Sequence, residues 1–253
     1  MSRLLMSLLA LSFSTTAAAS DGAGTTHGTA DVLEQGDWEI GLYAALRRGM
    51  GDGVELSIHP ITAFFSPHIG VKKAWMSNDN WRLATRHSLI FPTRMLKALA
   101  REGTGGILVA DATIPTVIVS DNRVIVSTDI APGATLSILG RLMLGAELGE
   151  SAWPSIDMPI AYPRTAAYQD NVTAAIGAQL DTNLWGPIGF RWNMNLWAMP
   201  FSDGTWALEA KATLPWRPSE SFTAQLSSTA TMGQYPYGMD WHVLPGFDLI
   251  WAW

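Results

Sequence analysis

Between Thr205 and Trp216 the chain divides cleanly by parity. Trp206, Leu208, Ala210, Ala212, Leu214 and Trp216 fall on one side, and Thr205, Ala207, Glu209, Lys211 and Thr213 on the other. A strand sends alternate side chains to opposite faces, so this segment has an apolar face ended by two indoles and a face carrying charge. Ten steps at about 3.3 Å each, tilted by about 40°, rise roughly 25 Å, the height of the apolar band a membrane-spanning strand must present. The tryptophans then fall at the two interfaces, where indoles are favoured.

Composition agrees with a lipid-facing surface. Of 253 residues only 15% are charged, against about 25% in soluble domains, and there are 12 Trp and 23 Gly. The 16 basic and 22 acidic residues leave a formal charge of −6 with no Lys/Arg cluster, which excludes nucleic acid as a partner. Cysteine is absent, which removes disulfides and thiolate chemistry. Residues 1–19 join a basic start at Arg3 to an apolar run and Ala17-Ala18-Ala19, and read as a cleaved secretory signal peptide. Residues 20–36 are small and polar without period, and are expected to form a flexible N-terminal segment ahead of the barrel domain at 37–253.

From Asp37 onward, alternation predicts strands at 38–47, 54–58, 68–76, 81–91, 106–119, 123–131 and 134–147, then five more starting near Val172, Ile188, Trp206, Phe222 and Phe247. In this partition Asp121-Asn122 is a turn, and the Lys72-Lys73 pair leaves the facing of its strand open. Residues 92–104 have helical composition, and 149–170, with three prolines, make the longest loop. The fold class expected is all-β, an antiparallel up-and-down transmembrane β-barrel of about twelve strands, with ten as the alternative. An even count puts both termini on one, periplasmic, side. This partition places 92–104 there too and 149–170 outside. A soluble β-sandwich would show the same alternation with its apolar face turned inward.

The segment Gly246-Phe247-Asp248-Leu249-Ile250-Trp251-Ala252-Trp253 resembles the terminal signal by which Gram-negative outer-membrane β-barrel proteins are recognised for insertion, an alternating strand closed by an aromatic residue. It departs from that pattern in ending on Trp rather than Phe and in carrying Asp248. The resemblance implies residence in the outer membrane, with its lipid and the barrel-insertion machinery as partners.

The inward parity would place Glu39, Arg47, Glu55, His59, Arg82, Arg86, Arg141, Glu147, Asp181, Arg191, Glu209, Lys211 and Asp248 along the lumen. Charges of both signs there are expected to pair across a narrow interior. Trp38, Trp81, Trp192, Trp206, Trp216, Trp251 and Trp253 are the aromatic girdle candidates. No histidine has serine two residues on, and His87-Ser88 places the two side chains on opposite faces, so a Ser–His couple on one strand is absent. No metal-ligand spacing occurs, and the GTGG at 103–106 lacks the lysine of a phosphate-binding loop. No cofactor is expected. The reading is a non-enzymatic barrel, a small passive channel for solutes or ions or a structural envelope protein. A lipid hydrolase or acyltransferase with a site built between strands is the second reading, and a secreted soluble β protein the third.

Overall fold

The protein is described by a computed structural model that covers residues 23–253 except 79, 103–107, 157, 171 and 203. The leader expected at 1–19 and the GTGG at 103–106 lie outside the described residues. Twelve strands form one closed antiparallel barrel in sequence order. They are β1 (Trp38–Gly41), β2 (Leu46–Gly51), β3 (Val54–Ile58), β4 (His68–Ser77), β5 (Arg82–Ile90), β6 (Thr116–Ala131), β7 (Ala134–Leu148), β8 (Val172–Trp185), β9 (Ile188–Ala198), β10 (Trp206–Ser219), β11 (Phe222–Tyr235) and β12 (Gly238–Ala252). Closure excludes the sandwich. Among the described residues no helix is long and apolar enough to cross a membrane.

The parity of β10 is as the sequence suggests: Ala207, Glu209 and Thr213 are buried, while Leu214 and Trp216 are exposed. The same inversion holds in β6, where Val117, Val119, Asp121, Ile125 and Ser127 are buried inside and Val124 is exposed outside. A polar or close-packed inner face beside an exposed apolar outer one is the build of a strand in lipid.

Twelve strands are present, but the sequence partition differs in several boundaries: the strand expected from 106 begins at Thr116, the one expected near Phe247 begins at Gly238, and two further differences alter which residues turn. The alternation at 38–47 runs through a turn, so that Trp38 pairs with Arg48 and Glu39 with Arg47 across a β1–β2 hairpin. Conversely, Asp121-Asn122 is no turn; β6 continues through it, pairing residue for residue with β7. The errors offset in the count and not in the topology. Five strands rather than four precede the 91–115 connection. It therefore lies at the same end as 149–171, opposite the termini, which corrects the expectation that the two connections lie on opposite sides. Short turns at 52–53, 132–133, 186–187 and 220–221 mark the terminal end, and the loop end carries the longer connections together with one short turn at 236–237.

Three helices sit at the loop end: α1 (Pro60–Ala63), α2 (Thr93–Leu99) and α3 (Tyr162–Asp170). α2 is the helix that composition indicated. An apolar cluster fills the loop-end half of the lumen, where Tyr162, Ala166, Ala167 and Tyr168 of α3 pack on Val117, Val119, Met143, Trp197, Ala207 and Tyr235 of the wall. Gly145 allows the approach, since a Cβ there would stand 1.9 Å from the Ala167 carbonyl oxygen.

The wall is uneven. β6 and β7 pair along 15 positions, whereas β1 meets β12 only from Trp38 to Gly41, with one further backbone hydrogen bond from Leu42. Tryptophans at the terminal end include Trp38, stacked on Trp253 with ring centroids 6.3 Å apart, together with Trp81, Trp216 and Trp251. Trp206 opens β10 at the loop end, and Trp192 lies four residues into β9, inside the belt.

Candidate functional site

Residues 23–36, expected ahead of the barrel, run inside it instead. The segment has almost no apolar surface to bury, so its position is set by hydrogen bonds. Thr223 Oγ1 donates to the Ala23 carbonyl (2.6 Å) and Arg191 Nη2 to that of Gly24 (2.9 Å). Gly24 N–H donates to Glu39 Oε2 (2.6 Å), Arg47 Nη2 to Thr26 Oγ1 (2.8 Å) and Gln179 Nε2 to the His27 carbonyl (2.7 Å). Lys72 Nζ reaches the Asp31 carbonyl, and Ala30 N–H donates to Ser127 Oγ (2.8 Å). Strands on every side of the lumen hold this plug. Its His27 imidazole meets Glu39, and burial, with the charge of Arg47 next in effect, holds its pKa below the usual 6.5.

Around the plug the wall charges form short networks. Arg47 lies between Glu39 (2.9 Å) and Glu55 (Nε to Oε1, 2.8 Å), with all three side chains buried. Asp121 accepts from both Arg123 (2.7 Å) and Arg141 (2.7 and 2.8 Å). Asp181 pairs with Arg191, and Glu209 with Arg164 of α3 at 2.7 Å. Arg82 joins Asp31 of the plug (2.9 Å) to Asp129 (2.6 Å) near the terminal end. Asp248 accepts from the Tyr43 N–H at 3.0 Å.

Register produces one arrangement that pairing does not neutralise. Glu55 is opposite Lys72, Lys72 opposite Arg86, Arg86 opposite Arg123, and Arg123 opposite Arg141. Four cations therefore occupy one rung of four neighbouring strands, β4 to β7. Like charges directly opposite one another destabilise a sheet. The adjoining carboxylates are Glu55, already shared with Arg47, and Asp121, shared by two arginines; among the described residues Arg86 has a single hydrogen bond, to Ser57 Oγ at 3.3 Å. Cavities of about 240 and 290 Å³ adjoin this rung, the first beside Lys72, Arg86 and Arg123 and the second between Arg141, Arg191, Lys211 and Trp197.

Most of the charges that parity assigned inward line this interior. His59 does not: β3 ends at Ile58, and His59 instead caps α1, its Nδ1 accepting from the Thr62 N–H at 3.4 Å. Glu147 is taken up by the Trp153 Nε1–H (2.9 Å) of the loop-end connection. His87 binds Asn122 Oδ1 at 2.8 Å on the exposed face, away from Ser88. Sequence reasoning missed Lys72, Arg123, Arg164 and Trp197. Arg123 becomes legible once 116–131 is read as one strand. Trp197, under Arg141 and Arg164 with guanidinium carbons 4.9 and 5.2 Å from its ring, lies on the β9 parity opposite to the girdle candidate Trp192.

A closed twelve-stranded barrel, apolar outside and charged within, has the build of a Gram-negative outer-membrane β-barrel. No family model and no curated protein matches the chain. Among solved structures it is similar to a KdgM porin in complex with disordered oligogalacturonate, at 6% identity over 85% of this chain and 94% of that one, with a TM-score of 0.42. It is also similar to the NanC porin, at 12% identity over 85% and 97% with a TM-score of 0.47. A bacterial polysaccharide outer membrane secretin matches at 8% identity over 87% and 77%, with a TM-score of 0.49.

Proposed function

We propose that the protein is a plugged passive channel of the outer membrane that favours small anions. The observation that carries this reading is the cationic rung Lys72–Arg86–Arg123–Arg141, a run of like charge on the inner wall that costs stability and lies beside cavities of about 240 and 290 Å³. In this reading the terminal end, with its short turns, faces the periplasm, and the loop end faces outward. Residues 1–19 are a leader removed on export, the insertion machinery takes the β12 terminus, and Trp38, Trp81, Trp216, Trp251 and Trp253 form the inner girdle, with Trp206 at the outer one.

A second reading, a structural envelope protein with a permanently filled lumen, is favoured by the α3 cluster and the plug together. Planar-bilayer recordings under a salt gradient separate the two. The channel reading expects small currents from the intact protein, larger ones after deletion of residues 23–36, and an anion-directed reversal potential that shrinks in Arg86→Gln/Arg123→Gln. Absence of current from both the intact and the plug-deleted protein would reject the channel.

A further inference from the structure

The barrel wall has a gap between β12 and the β1–β2 hairpin. Trp253 exchanges backbone hydrogen bonds with Trp38, and the Leu249 carbonyl accepts from the Leu42 N–H, so odd-numbered residues of β12 direct their backbone groups at β1. β1 ends at Gly41, and among the described residues nothing pairs with β12 on this side above Leu249. The backbone groups of Phe247, Pro245 and Val243 thus face a free edge. Phe247 and Val243 lie six and ten steps from Trp253, about 15 and 25 Å up a strand tilted by about 40°, so this edge falls within the outer half of a belt about 25 Å tall. Unpaired backbone groups facing hydrocarbon cost several kcal/mol each, so something polar must reach them.

A cavity of about 540 Å³ passes through the gap. Its inner end is lined by His27, Lys211, Gln225, Leu244 and Asp248, and its outer end by Tyr43 and Phe247. Lys211 has no hydrogen-bond or ion-pair partner among the described residues. Tyr43 and Phe247 meet edge to face across the outer end, ring centroids 5.7 Å apart. Leu244, on the inward parity of β12, is an exposed apolar side chain on the lumen side of the gap. Such a passage is aromatic where it meets the membrane, and where it meets the lumen it carries the Lys211 ammonium together with the Asp248 carboxylate, the latter already held by the Tyr43 and Leu249 N–H groups.

We propose that this gap is a lateral window for a membrane phospholipid, its acyl chain passing Tyr43 and Phe247 and its phosphate drawn to Lys211, with headgroup hydrogen bonds serving the open edge of β12. The occupant is selected by Lys211, which makes no contact pair among the described residues while Asp248 is bound by the Tyr43 and Leu249 N–H groups, so that an anionic head meets a free ammonium. A strand added by a second copy is disfavoured, because Pro245 removes an N–H from this same edge and interrupts the ladder such a strand would need. The window needs only a membrane-inserted barrel and does not depend on conductance.

The experiment places a photoreactive benzoylphenylalanine at Gln225, on the inner face beside the window, and at Thr135, on the inner face of the far wall, with the outward Leu226 as a lipid-facing reference. The full chain is reconstituted in phosphatidylglycerol vesicles, its folding checked by heat-dependent gel mobility, and Thr229 replaces Gln225 if that variant fails to fold. Irradiation should give lipid adducts at Leu226 and at Gln225, the latter roughly tenfold above Thr135, and falling severalfold in Lys211→Gln. Equal labelling at Gln225 and Thr135, or a protein–protein adduct at Gln225 in place of lipid, would overturn the proposal.

Discussion

His27 and Glu39 meet imidazole to carboxylate inside the barrel, tying the segment that precedes the first strand to the first strand itself. The same carboxylate receives the Arg47 guanidinium and the Gly24 N–H, so one side chain of β1 serves the wall and the plug together.

This contact makes docking of the plug depend on pH. Burial and the neighbouring Arg47 and Arg191 charges hold the His27 pKa below its usual value, outweighing the opposing effect of Glu39. Docking therefore favours neutral histidine. Its contribution is fully present above about pH 6.5 and is lost as pH falls from there through the docked value. Conductance should rise on acidification from about pH 8 to about pH 5, and His27→Gln should flatten that rise. Bilayer recordings across that range check both.

Arg47→Met should be among the most damaging wall substitutions. It leaves Glu39 and Glu55 buried without their shared cation, at a cost of about 3–5 kcal/mol. Urea unfolding in lipid vesicles measures it. The double change Glu55→Gln/Arg47→Met should recover part of the loss.

Adjacent positions on β10 should tolerate charge differently. Ala210→Arg puts a guanidinium on the lipid face and should cost about 2–4 kcal/mol, while Lys211→Gln, on the lumen side, should cost much less. Equal tolerance of arginine at 210 and 211 in the same unfolding assay would contradict the facing of this strand.

Gly145→Leu should displace α3, because any side chain there meets the Ala167 carbonyl. Overpacking of this kind costs about 1–3 kcal/mol. The expected reading is a larger single-channel current together with earlier proteolysis between residues 149 and 171.

The fold was legible wherever lipid imposes an alternation. β10 shows it without interruption, since every outward position must be apolar. The β1–β2 turn was hidden because Leu42 and Ala44 continue the outward pattern through it. Asp121-Asn122 misled for the opposite reason: turn-forming residues in the middle of a strand are stable here because Asp121 is bound by two arginines across the inner face. The plug was unreadable as structure. A segment that docks against a polar wall needs no apolar period, so Thr26, His27 and Gly28 look the same docked or free. The cationic rung is a property of register, and no single strand reveals it.

The described part of the plug starts beside strands late in the sequence. Ala23 N–H donates to the Glu220 carbonyl and its carbonyl accepts from Thr223, in and beside the β10–β11 turn, while Leu33 at the other end of the segment donates to Glu55 on β3. These partners come from opposite ends of the sequence and share a lumen only when the ring is complete. Filling therefore cannot precede closing in assembly: the two ends of the segment find their partners only in a complete ring, and releasing the segment again requires no wall strands to separate.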